Sequence, residues 1–147
     1  LLVEARDHMR DVHEVRQAIE PMAARLAAER ITDGQLAALR AHQDEIFTTT
    51  GVSSFRRTDS AFHMTIAQAS GNPLLAKAVE DARSALFVMF DTSNFEVLKA
   101  SSGKAHQKIL DAIAVGNGDE AATLMSVHLA EAWAEIEAVI DSTPGYD

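Results

Sequence analysis

The stretch Asp59-Ser60-Ala61-Phe62-His63 sets a carboxylate and an imidazole four residues apart, one above the other on the same face of a helix. Phe55, Phe62 and Ile66 fall on the same stripe, so that face is apolar and both polar side chains are aimed at a core. There each must find a partner or carry a desolvation cost on the order of 2–7 kcal/mol. Two more histidines have the same address. His106 leads the stripe His106, Ile109, Leu110, Ile113, and His128 interrupts the stripe Ala121, Met125, Ala132, Ile136, both at helical spacing. Three of the six histidines and one aspartate are therefore expected to face inward from three different helices, which is the ligand set of a metal site.

A single inward histidine is more often a satisfied core residue than a ligand. Four such groups in one small core, however, each need a hydrogen-bond partner, whereas one cation satisfies them all. One carboxylate and three imidazoles, Asp59, His63, His106 and His128, suit Zn2+ or Ni2+ best, with Mn2+ or Fe2+ also compatible. One or two coordination positions are left for water or a ligand oxygen. His8 and His13 sit near the start of the chain among charges, and His42 lies beside Leu39 and Ile46 at a helix edge.

Around this stretch the periodicity predicts an all-α antiparallel bundle of about six or seven helices enclosing the metal site. The first covers about 11–30, its inward stripe read as Val12, Val15, Ile19, Met22 and Leu26, with Pro21 expected to kink or interrupt it. Thr32-Asp33-Gly34-Gln35 forms a capping box that opens a second helix to about Phe47. Ser53 or Ser54 is expected to cap the third, which ends at Gly71. Asn72-Pro73 starts the fourth, built on Leu75, Val79, Ala82, Leu86 and Met89 and fraying near 91–94. A fifth covers about 95–115, with Ser101-Ser102-Gly103 a candidate break; Gly116-Asn117-Gly118 turns the chain into a sixth, about 119–140.

The 147 residues, 47% of them hydrophobic, suffice for one domain spanning 1–147 and are too few for two. No run approaches the roughly 18–20 apolar residues of a membrane span, and the first nine residues alternate charge too closely for a signal peptide, so a soluble chain away from the membrane is expected. It does not open on Met and enters a helical pattern almost at once, so a segment upstream is expected. With no cysteine, disulfides and thiolate zinc sites are excluded, and a cytoplasmic address is expected. A net charge of −9 repels nucleic acid, so this segment is not the part that holds DNA by its phosphates.

Signatures of catalysis fail. His13-Glu14 is followed by Gln17 where a zinc protease needs histidine, no Glu precedes a His by three as in di-iron bundles, and no glycine-rich loop suggests phosphate binding. Arg16 and Arg83 border the inward stripes of helices one and four, where a guanidinium can clamp a carboxylate. The blander alternative for them is a salt bridge to Glu20 or Glu80, or a solvated edge.

In these residues the chain resembles the FadR-type C-terminal (FCD) effector-binding domain of GntR-family transcription regulators, over about 11–140. The resemblance rests on Val15-Arg16 with Glu20-Pro21 and Leu26-Ala27-Ala28, and on Asp59 through Phe62-His63 with Ala69-Ser70-Gly71-Asn72-Pro73. His106 with Ile109-Leu110 and Ala112-Ile113, and Ala121 with Met125 and His128-Leu129, complete it. Order and spacing match the metal-binding subgroup. The resemblance implies a homodimeric, bacterial-type regulatory module that binds a divalent metal and a small organic acid and controls a preceding winged-helix DNA-binding domain, here absent. It implies Asp59, His63, His106 and His128 as metal ligands and places Arg16 and Asn72 near the effector. Arg83 is added as a candidate effector residue from its position alone. The Ser101-Ser102-Gly103 interruption departs from the family pattern. The rival is a small metal-dependent enzyme, a hydrolase or oxygenase using the same Asp/His3 site with an activated water. The inward stripes offer it no spare general base, which favours sensing. A purely structural metal would need a coordination sphere closed by protein groups.

Overall fold

The computed structural model describes residues 2–86 and 95–142, with side chains there except at positions 2, 3, 5 and 95–97. All described elements are α-helices: α1 Leu2–Arg30, α2 Asp33–Ile46, α3 Val52–Ala69, α4 Pro73–Leu86, α5 Phe95–Ala114 and α6 Gly118–Ser142. The all-α bundle expected from the periodicity is thus present. The expected fraying near 91–94, and Met89 in the fourth helix, lie outside the described residues.

Local chemistry sets most of the boundaries. The capping box forms as expected: the Gln35 amide donates to Thr32 Oγ1 at 3.2 Å and the Thr32 amide to Gln35 Oε1 at 3.1 Å. Gly71, at φ +69°, ends α3, and Asn72 opens α4 by accepting from the Leu74 and Leu75 amides, both at 3.1 Å. Arg30 Nη1 donates to the Ser70 carbonyl at 2.7 Å, tying the end of α1 to that corner.

Three sequence expectations are corrected. The N-cap of α3 is Gly51, at φ +92° and with no side-chain cap, rather than Ser53 or Ser54. Helix α1 is not interrupted at Pro21, the outcome weighed beside a kink, because a proline removes one backbone bond while the flanking turns stay held by packing along four other helices. Nor does Ser101-Ser102-Gly103 break α5. A Cβ at Gly103 would sit 2.5 Å from the Phe47 ring, and the Gly103 carbonyl accepts from Gln43 Nε2 at 2.7 Å. Glycine stands there because α2 passes close by.

The face of α1 is corrected in part: Val12 is buried as expected, and Ile19 and Leu26 are half-buried. Val15 and Met22 are each 49% exposed, whereas Arg16, Glu20, Ala23, Ala24, Ala27 and Ala28 are buried. The alanines pack into one core with Phe62, Ile66, Ile109, Leu110, Ile113, Met125 and Leu129. Small side chains let neighbouring helices approach α1 closely, and the two charged residues are admitted because they are paired inside. Helix α1, about 43 Å long, packs on α3, α4, α5 and most extensively α6. No helix among the described residues is long and apolar enough to cross a membrane.

Candidate metal centre

Asp59 and His63 on α3, His106 on α5 and His128 on α6 converge in the core, as expected from their stripes. The three imidazoles are buried and offer ligand nitrogens that all lie within 4.8 Å of one another. His106 Nε2 is 3.2 Å from His128 Nε2. Asp59 Oδ1 is 3.3 Å from His106 Nε2 and 3.7 Å from His63 Nε2. Donors bound to a zinc-sized ion at about 2.0–2.2 Å stand roughly 3–4 Å apart, so these spacings suit a shared cation. Phe62, stacked on His106 with ring centroids 4.0 Å apart and planes at 3°, holds that imidazole in place.

The hydrogen-bond inventory leads to the same point. Among the described residues His63 Nε2 is buried with no hydrogen-bond partner; His106 Nδ1 is another, which the ion would not relieve because His106 meets the other donors through Nε2. An orphaned imidazole nitrogen facing two other imidazoles and a carboxylate is costly in an apolar core and costs nothing as a metal ligand. The residues present therefore fit a divalent ion, which Asp59 Oδ1 and the Nε2 atoms of His63, His106 and His128 would hold.

The two arginines lie deeper than their stripes suggested, and both are paired. Arg83 Nη2 donates to Asp59 Oδ2 at 2.6 Å, in place of the alternative partner Glu80. One oxygen of Asp59 is thereby engaged and the other turned to the histidines. Arg16 Nε lies 2.5 Å from Glu20 Oε2, the alternative weighed from the sequence, but here inside the core. Glu20 Oε1 in turn is 2.6 Å from His63 Nδ1. Glu20 was not among the expected site residues; the signal available was its i,i+4 spacing from Arg16 beside the alanine stripe. It is also a carboxylate the inward faces seemed to lack, but both of its oxygens are engaged. Asn72 sits at the exposed N-cap of α4, the helix that carries Arg83.

Electrostatics follow from this pairing. Burial opposes the charge on Glu20, yet Arg16, His63 and Arg83 outweigh it and hold the carboxyl well below its usual range. Asp59 is lowered likewise: burial opposes its charge, while Arg83, His63 and His106 prevail. Burial, aided by Arg83, lowers His63 to about 4 against the pull of Glu20 and Asp59. Burial lowers His106 and His128 to about 3 each, with Asp59 opposing and neighbouring charges adding to the fall. At neutral pH three uncharged imidazoles thus face an ionised carboxylate, the protonation state a metal site requires.

The fold and site together are an all-α bundle with an Asp/His3 core beside two buried, paired arginines, and comparison with known proteins gives the family. The FCD domain family model matches residues 11–131, so the chain belongs to the FCD family. It is 28% identical over 135 residues to the HTH-type transcriptional regulator LutR of Bacillus subtilis, covering 87% of this chain and 62% of that protein. It is 30% identical over 115 residues to the galactonate operon transcriptional repressor of Escherichia coli, covering 74% and 48%. Among solved structures, Streptococcus agalactiae GntR superposes with a TM-score of 0.76 at 26% identity, over 88% of this chain and 59% of that one. Escherichia coli McbR/YncC shares the fold, with a TM-score of 0.77 at 18% identity, over 88% and 64%. The chain spans between about half and two thirds of the length of these proteins. Both curated relatives are transcription regulators by name.

Proposed function

We propose that this domain senses a small carboxylate at a divalent metal centre, zinc or nickel before other ions, and so controls DNA binding by a winged-helix domain preceding it in a longer protein. The observation that carries the proposal is the convergence of Asp59, His63, His106 and His128 within an FCD bundle. Bound there, the metal supplies a Lewis-acidic position that takes an oxygen of the effector. Without it the core charges cancel, since Arg16 and Arg83 are matched by Glu20 and Asp59. A divalent ion then leaves the pocket with a net charge of about +2, and an anion restores balance.

Arg16 and Arg83 flank that position and pair with the rest of the anion by loosening the carboxylates they now hold. Asn72, the third effector residue of this proposal, stands at the N-cap of the helix that carries Arg83. An effector so held ties α1, α3, α4, α5 and α6 to one point. A difference in its affinity between two arrangements of α1 is then enough to signal, and sets the upper limit of the coupling. A cytoplasmic homodimer, with DNA engaged only through the preceding domain, completes the proposal.

Calorimetry with a panel of di- and hydroxycarboxylates tests it on metal-loaded, metal-free and Arg16→Ala protein. Binding is expected to need metal and to weaken at least tenfold in Arg16→Ala. Equal binding without metal, or neutral analogues as tight as the acids, overturns the mechanism. Native mass spectrometry of protein from its own host then reports the metal, the effector and the oligomeric state together.

A further inference from the structure

Helix α1 contributes no ligand to the metal centre, yet Glu20 reaches it from that helix with both oxygens committed. Oε1 lies 2.6 Å from His63 Nδ1 and Oε2 lies 2.5 Å from Arg16 Nε. Glu20 and His63 are almost wholly buried, at 2% and 1% exposure, so these contacts are shielded from bulk solvent. An ionised carboxylate only accepts hydrogen bonds, so His63 Nδ1 must be the protonated nitrogen of this contact, which leaves the Nε2 lone pair for a cation.

We infer that Glu20 is the positioning residue of the metal centre: it holds His63 as the Nδ1–H tautomer and aims the Nε2 lone pair at the ion, while Arg16 keeps the carboxylate in place. This rests on the metal-binding function proposed above and adds the group that prepares one ligand before the ion arrives. A carboxylate behind a metal-bound imidazole fixes ring orientation and raises ligand basicity, and its loss costs about 10–100-fold in affinity. Here the carboxylate stands on α1 and shares its other oxygen with Arg16, so a change in the hold of Arg16 is felt at His63.

Isosteric Glu20→Gln separates this role from packing. The Arg16 Nε–H is always a donor and claims the single amide oxygen, leaving the amide NH2 for His63 Nδ1. Nδ1 must then accept, and the proton moves to Nε2, where a metal would bind. In Arg16→Met/Glu20→Gln no guanidinium competes, the amide turns its oxygen to Nδ1, and the original tautomer returns.

The experiment reads imidazole 15N shifts of metal-free protein by two-bond 1H–15N correlation, with His63 assigned by its loss in His63→Asn, and zinc affinity by competition with a chelating dye. Expected are Nδ1–H His63 in the wild type and Nε2–H in Glu20→Gln, with zinc binding weaker by about 10–100-fold, both restored in the double variant. Wild-type His63 found as Nε2–H overturns the inference whatever the variants do, as does Glu20→Gln with an unchanged tautomer or unchanged zinc affinity. If the wild type binds no divalent ion, the metal proposal fails by itself, and the tautomers still decide what Glu20 does.

Discussion

Each ionisable residue in this core is placed by a partner as much as by its own helix. Asp59 faces the histidines with one oxygen because Arg83 holds the other, and Glu20 stays ionised because Arg16 and His63 sit on either side. Such a core has a cost in acid. The unfolded chain takes up protons on these histidines near pH 6.5, while in the folded protein His63 resists until about 4 and His106 and His128 until about 3. The unfolded state therefore binds more protons below pH 6.5, and the stability of metal-free protein falls as pH drops from about 6.5 toward 3–4. Glu20 and Asp59, both lowered, add loss of the same sign further down. Denaturant midpoints across pH 7.5 to 4.5 are expected to decline steeply, and in His106→Gln the dependence becomes shallower by roughly a third, one of three matched groups having gone. A midpoint that stays flat down to pH 5 contradicts this account.

At the scale of elements, the face that α1 turns inward is the feature hardest to read from hydrophobicity. Val15 and Met22 look like core and are half exposed, while the buried face holds Met9, Val12, four alanines and a paired Arg and Glu. Period and propensity located the helix; its rotation was set by how closely α6 and α3 approach. Ala27, fully buried at that contact, tests the rotation. Ala27→Met inserts a long side chain into a filled contact and is expected to cost about 1–3 kcal/mol. Val15→Ser on the other face should stay within about 0.5 kcal/mol. Thermal unfolding of the two single variants checks this, and the reverse order of cost would mean that α1 is turned the other way.

For the molecule as a whole, the site joins residues from α1, α3, α4, α5 and α6 at one place, so an ion bound there would stabilise the entire bundle. A ligand specific to the native state adds roughly 2.7 kcal/mol at about a hundredfold excess over its Kd. Chelation is therefore expected to lower the Tm of metal-loaded protein by several degrees, and His106→Ala to abolish that sensitivity. Identical melting curves with and without chelator would end the metal proposal.

The all-α class, the caps at Thr32 and Asn72, the stop at Gly71 and the inward address of Asp59, His63, His106 and His128 were all determined by the sequence itself. They depend on spacing and on bonds between near neighbours, which a linear pattern records. Tertiary structure alone decided that α1 passes unbroken through Pro21, that Gly103 makes room for Phe47 and that Arg83 pairs with Asp59 across 24 residues. It also decided that Glu20 stands behind His63 across 43. Whether a charged residue is buried depends on the partner that meets it, and that partner comes from another helix.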